Sequence, residues 1–163
     1  MQTSLPTSTQ PATEGQMTLQ WKDAARNVIL ETAPHDKCIK KVSEIFELVK
    51  QEETKRLGQD KIESASAAVI SRLHKWLYEN SAKIKSAHFT IRDGCPLFLA
   101  VTKGVVFDEA LQESIVAVDM EICSEEKYRP LTIEVLLIPG MSEENIRAFT
   151  HPKHCLDVTL QEA

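Results

Sequence analysis

Ala87-His88-Phe89-Thr90-Ile91-Arg92-Asp93-Gly94-Cys95-Pro96-Leu97-Phe98-Leu99-Ala100-Val101-Thr102 is the stretch whose reading decides the fold. Ala87, Phe89 and Ile91 alternate with His88, Thr90 and Arg92, the two-residue period of a strand that sets one face on a core and the other toward water. Asp93-Gly94 is a favoured pair for a two-residue hairpin loop, because both central residues of that turn take a positive φ. The returning strand is predicted over residues 95–102. Pro96 has no amide proton, so its amide side is expected to be unpaired or at an edge.

Upstream of residue 86 the spacing is helical instead. Ile39, Val42, Ile45, Phe46 and Val49 recur at three and four residues, which predicts a helix from an Asp36 cap to Leu57, closed by Gly58 in the left-handed conformation. Asp60 and Glu63 have the spacing of a capping box for a further helix striped by Ile62, Val69, Ile70, Leu73, Trp76 and Leu77. These two helices are expected to fold back as a hairpin. Trp21, Ala24, Ala25, Val28 and Ile29 share the same spacing and predict a short helix ending before Pro34. The first sixteen residues, rich in Thr, Ser, Pro and Gln, predict a disordered tail.

Downstream of the hairpin the spacing predicts a short helix or turn over 108–114 and two strands, 115–123 and 131–138, the second ended by Pro139-Gly140. Ser142 with Glu143 and Glu144 behind it caps a final short helix through Phe149, and Val158 to Leu160 predict a small edge strand. The fold class is α+β: N-terminal helices, as a long helix hairpin, packed on a mostly antiparallel sheet of three to five strands with one or two short helices. The expected organisation is a tail over 1–16 and one domain over 17–163, with a helical half at 17–85 and a sheet half at 86–163.

The composition suits one core. Of 163 residues 42% are hydrophobic and 26% charged, and a chain of this length buries enough surface to fold without staples. Cys38, Cys95, Cys123 and Cys155 form no close pair, which with the absence of a basic and then apolar opening predicts reduced thiols and a cytoplasmic location. The apolar runs are far shorter than the roughly 20 residues of a membrane-spanning helix. The net charge of −5 is uneven: residues 17–85 hold 13 basic against 10 acidic side chains, and residues 86–163 hold 6 against 13.

Asp119 and Glu121 on one face of the predicted strand over 115–123, with Glu134 in the next strand, form the one carboxylate set suited to a divalent cation. Convergence of the three would hold magnesium for phosphoryl or nucleotidyl transfer. The set resembles the strand-borne carboxylate pairs of nucleotidyltransferases over three residues only, and lacks their Gly-Ser turn and second Asp. His151, His154 and Cys155 are a weaker metal set, since their spacing is poor for a closed zinc site. His74 is expected as a core-boundary histidine with a hydrogen-bond partner. Neither a glycine-rich phosphate loop nor a serine nucleophile elbow is present.

The favoured reading is a small cytoplasmic, non-enzymatic interaction or regulatory protein that uses no cofactor and acts through self-association or a protein partner. Val105, Val106 and Phe107, with the 136–138 run, supply more adjacent apolar groups than one sheet face buries. Arg72 and Lys75 are further candidate contacts. The magnesium-dependent enzyme, or a degenerate relative of one, is the first alternative. Nucleic-acid binding through the basic helices is the second, weighed down by the acidic total and by acidic residues interleaved with the basic ones.

Overall fold

The computed structural model describes residues 17–26, 28–31, 36–48, 58–128 and 131–162. The decisive hairpin forms as read: β3 (Ile84–Arg92) and β4 (Cys95–Thr102) pair antiparallel, and Asp93 (φ 52°) and Gly94 (φ 73°) make the turn. The loop closes on the pair Arg92 and Cys95, so the next pair, Ile91 with Pro96, is a non-hydrogen-bonded one and Pro96 turns its nitrogen away from β3. On that outer side the ladder with β5 (Glu134–Ile138) starts only at Leu97. The proline therefore removes no hydrogen bond.

Six strands join in the order β2-β1-β6-β3-β4-β5. β1 is Met17–Asp23, β2 Val28–Glu31 and β6 Cys155–Glu162. This exceeds the three to five strands expected, and the sheet is mixed, because β5 runs parallel to β4. A parallel neighbour needs a crossover of a dozen or more residues, and α3 (Glu109–Ser124) supplies it.

The helices account for most corrections. The stripe through Trp21 and Ile29 is not a helix but the β1–β2 hairpin: Leu19 and Trp21 alternate onto the core, and the Asp23 carboxylate accepts from the amides of Ala25 (3.1 Å) and Arg26 (3.4 Å) to turn the chain. Pairing with β6 outweighs a local pattern compatible with either period. Strands thus flank the helices on both sides, and the division into a helical half and a sheet half does not hold. Residues 115–123 are helix, not strand. Asp108 accepts from the Leu111 amide (2.9 Å) as N-cap, and Leu111, Ile115, Val118 and Ile122 form the buried stripe. A helix with apolar residues at three and four can also show a run that alternates, which is how the strand reading arose.

α1 (Asp36–Leu48) and α2 (Gln59–Glu79) follow their predicted stripes. Gly58 is the N-cap of α2, with φ −78°, rather than a left-handed terminus, and no side chain caps this end, so the Asp60–Glu63 box does not form. The predicted continuation of the first long helix through residues 49–57, like the 1–16 tail, lies outside the described residues. The final helix, α4 (Glu143–Arg147), is capped by Ser142 as predicted. Residues 158–160 are not an edge strand: β6 is hydrogen-bonded on both sides, to β1 and β3.

The main core lies between one sheet face and α1, α2 and α3, and includes Trp21, Phe46, Leu73, Phe89, Phe98 and Val158. Two buried indole N–H groups are satisfied across it: Trp21 donates to His74 Nδ1 (3.1 Å) and Trp76 to Ser114 Oγ (2.9 Å). His74 is thus the partnered histidine expected at the core boundary, and burial lowers its pKa. His88 and Thr90, expected to face water, are buried on the opposite face. There Leu97, Leu99, Val101 and Ile138 meet Ile146 of α4 in a second, smaller cluster.

Gly140 joins the end of β5 to the exit of β4 by donating to the Gly104 carbonyl (2.9 Å). A Cβ there would sit 2.9 Å from the Thr102 carbonyl and 3.1 Å from that of Lys103, both backbone. Gly140→Ala should cost about 1–3 kcal/mol, the range for overpacking a site that has no side chain to move. Gly104→Ala, with its nearest contact at 4.0 Å, should stay within about 1 kcal/mol. Urea unfolding of the two variants provides the comparison.

Candidate functional site

β3 and β6 place six side chains, in three cross-strand pairs, on the second face because residues two apart on a strand share a face and register makes cross-strand neighbours. His88 lies opposite Asp157, Thr90 opposite Cys155, and Ser86 opposite Thr159. His88 Nδ1 is 2.7 Å from Asp157 Oδ1, and its Nε2 is 3.1 Å from Ser86 Oγ. Arg147, from α4, grips the same carboxylate with two nitrogens, Nη1 to Oδ1 at 3.3 Å and Nη2 to Oδ2 at 2.5 Å. Cys155 Sγ lies 3.4 Å from Oδ1.

The electrostatics follow from this geometry. Burial works against the Asp157 charge, but the hydrogen bonds from His88 and Arg147 outweigh it and hold the carboxyl far below the usual range. The same carboxylate raises the Arg147 pKa. Burial, reinforced by Asp157, pushes the Cys155 thiol up to about 12, so it is a protonated, weakly nucleophilic sulfur at neutral pH. Among the described residues, His88, Cys155 and Asp157 are the one set of His, Cys, Asp or Glu side chains with ligand atoms all within 4.8 Å. A cation entering among them would meet the Arg147 guanidinium and would have to deprotonate that thiol, so the donor set is better matched to a proton network.

Sequence reading missed His88 and Asp157 because their partnership depends on the β3–β6 register; the signal was a histidine in a strand whose other face was already assigned to the core. Of the weaker metal set, the His151 and His154 rings lie 4.8 Å apart, but Cys155 is not with them. His151 Nδ1 is occupied by the amides of Lys153 (3.0 Å) and His154 (3.2 Å), while Cys155 turns to Asp157.

The three carboxylates also separate, because α3 is a helix. Glu121 accepts from Arg72 Nε (3.0 Å) and from the Tyr128 hydroxyl (3.0 Å), tying α2 and α3 to a 3-10 turn at Glu126–Tyr128. Burial opposes its charge, but these two donors prevail and lower its pKa, while burial and Glu121 together push Tyr128 up to about 12. Arg72 is accordingly a strut between helices, and Lys75 stands exposed on α2. Asp119 and Glu134 do border one open groove of 430 Å³, with Cys123 and Leu136.

The apolar candidates are on the surface. Val105, Val106 and Phe107 are 76%, 78% and 69% exposed in the connection from β4 to α3. With Leu137, Ile138 and Pro139 they line a recess of 160 Å³ at the end of β5. β5 is an edge strand of the sheet, as β2 is at the other side, and among the described residues it pairs only with β4.

Asp157→Asn should destabilise the protein by about 3 kcal/mol, the low end for uncoupling a buried pair because Arg147 stays partly in water. The folded carboxyl titrates below its unfolded value of about 3.9, so its stabilisation is complete above that pH and is lost as pH falls toward the folded value. Urea unfolding at pH 7 and pH 3 should show a clear loss for the wild type and a smaller one for the variant; equal losses would contradict the assignment. No helix among the described residues is long and apolar enough to cross a membrane. No family model matches the chain, and no curated protein or solved structure shows significant similarity to it.

Proposed function

We propose that this chain is a self-associating interaction protein, and that its docking surface is the outer edge of β5 together with residues 105–107 beside it. The observation that carries the reading is the adjacency of three consecutive, strongly exposed apolar side chains to the end of a strand whose outer edge no other strand covers among the described residues. Natural sheets blunt such edges with lysine, proline, bulges or inward charges. β5 reads Glu-Val-Leu-Leu-Ile, with one charge at its start.

A second copy fits this edge better than an unrelated segment does. Two identical strands pair antiparallel across a two-fold axis, the commonest symmetry of small assemblies. Centred on Leu136, that pairing sets Glu134 opposite the partner's Ile138, so the two carboxylates sit at opposite ends and do not face each other. The strand edge alone buries too little for a stable dimer, which needs about 800 Å² from each partner. The exposed side chains of residues 105–107 flank the same edge and supply apolar area where the recess ends.

Sedimentation of the wild-type chain should show a dimer at concentrations up to about 100 μM, where even an association of about −5.5 kcal/mol is half complete. Val106→Asp combined with Phe107→Asp should be monomeric with its unfolding midpoint preserved, since neither side chain is in the core. A wild-type monomer throughout that range would overturn the proposal. A variant that dimerises like the wild type would remove residues 105–107 from the interface.

A further inference from the structure

We infer that the dimer has a second layer of contact, in which one flank of α3 packs on the same flank of a second copy through Val116 and Met120. The inference rests on the β5 pairing proposed above and adds to it a helix surface on the main-core side of the sheet. Val116 and Met120 are 42% and 66% exposed, and among the described residues they are the large apolar side chains that α3 leaves in water.

The direction in which they project follows from what the other sides of α3 do. Leu111, Ile115, Val118 and Ile122 face the core. Ser114 and Glu121 mark the flank toward α2, where Ser114 accepts from the Trp76 indole and Glu121 from Arg72. The opposite flank lies beside β5: Asp119 and Cys123 share a groove with Glu134 and Leu136, and Gln112 shares the recess with Leu137 and Ile138. Residues three and four apart are neighbours on a helix surface. Val116 therefore stands between Gln112 and Met120 on this second flank, with Met120 next to Cys123. Both apolar side chains project away from α2 and toward the open edge of β5.

The groove linings also fix the level of the contact. α3 runs antiparallel to β5, with Gln112 near Ile138 and Cys123 near Glu134, so Val116 is level with Leu136 at the centre of the strand. A two-fold axis at Leu136 then sets Val116 against the partner's Val116, and Met120 against the partner's Gln112. Packed helices lie about 8–10 Å apart, which is about two strand spacings. Two α3 helices, each packed on its own β5, come within that reach once the β5 strands pair.

Area calls for such a layer. A stable dimer needs about 800 Å² from each partner, and the edge of a five-residue strand is one chain thick. α3 has sixteen residues, a length of about 24 Å, and its flank widens the contact from one layer to two. Charge allows it. α3 carries four acidic residues and no basic one, but Glu121 is turned to Arg72 and Asp119 borders the groove with Arg92. Antiparallel packing carries the two copies' Glu109 and Glu113 to opposite ends.

The test combines sedimentation of the full chain, up to about 100 μM, with cross-linking. Val116→Glu together with Met120→Glu should weaken dimerisation about tenfold or more and keep the unfolding midpoint, because both side chains are exposed. Val116→Cys, made with Cys123→Ser, should give a disulfide-linked dimer on oxidation with diamide, since the axis sets residue 116 against its own copy. Lys75→Cys in the same background, exposed on α2, should not. A wild-type dimer that the Val116/Met120 variant forms at full affinity, or that does not cross-link through residue 116, would overturn the helix contact and leave the strand-edge reading standing. A wild-type monomer would overturn both.

Discussion

The pairing of β6 between β1 and β3 is the constraint on which the rest depends. β1 and β2 form one antiparallel pair, and β3, β4 and β5 form another set; neither touches the other through a ladder except by way of β6. The last strand in the chain therefore joins the first strands to the middle ones. Its alternate side chains do so on both faces. Leu156, Val158 and Leu160 complete the main core, and Cys155, Asp157 and Thr159 supply the polar side of the other face. A contact between residues 19 and 160 spans most of the chain and one between 88 and 157 spans 69 positions, so closing the sheet carries a long-loop entropy that local elements do not.

The two faces obey different chemistry for a geometric reason. Three helices cover the first face, and a parallel neighbour for β4 is available only because α3 crosses over that side. On the second face, among the described residues, one short helix and the turn at 151–154 do the covering, the latter bonded to the buried Thr90 hydroxyl. Adjacent residues of α4 divide the work: Ile146 is fully buried against Leu97, Leu99 and Val101, and Arg147 reaches to Asp157. A buried carboxylate without a cation is costly, so the arginine and the β3 histidine are what allow a polar strand to sit in the middle of the sheet. In this arrangement His88, Asp157 and Arg147 are a unit: loss of Asp157 leaves the buried His88 with Ser86 alone, and loss of either His88 or Arg147 leaves the buried carboxylate with one partner in place of two.

Legibility from sequence tracked the distance over which each cue acts. The Asp93-Gly94 turn, the limits of β4, the Ser142 cap and the stripes of α1 and α2 were readable because the deciding contacts are within a few residues. Trp21 and its neighbours misled because apolar residues at one, four and five satisfy a helix locally, while the alternation of Leu19 and Trp21 pays off only against a strand more than 130 residues away. Residues 115–123 misled in the opposite sense: Ile115, Val118 and Ile122 hold the helical spacing, but the β-branched side chains around them imitate a strand. With that error went the carboxylate triad, since Asp119 and Glu121 lie on one face of a strand and on different faces of a helix. Val105, Val106 and Phe107 were recognisable as surplus apolar groups, and they are exposed. Their position beside β5 was not recognisable, because it follows from the parallel crossover.

The same short helix explains why the second face is covered unevenly. A helix of five residues spans about 7.5 Å at 1.5 Å per residue, against strands spaced about 4.8 Å apart, so it shields two or three strands of six. Toward β6 the 151–154 turn takes over: the Thr90 hydroxyl donates to the His154 carbonyl and accepts from the His151 amide, and Cys155 and Asp157 are buried there as well. β6 carries polar side chains on this face, and the edge strand β5 carries apolar ones. A sheet face left bare for want of sequence would show one kind of surface at both margins. Here the residues differ: polar side chains paired among themselves across β3 and β6, and aliphatic groups along β5.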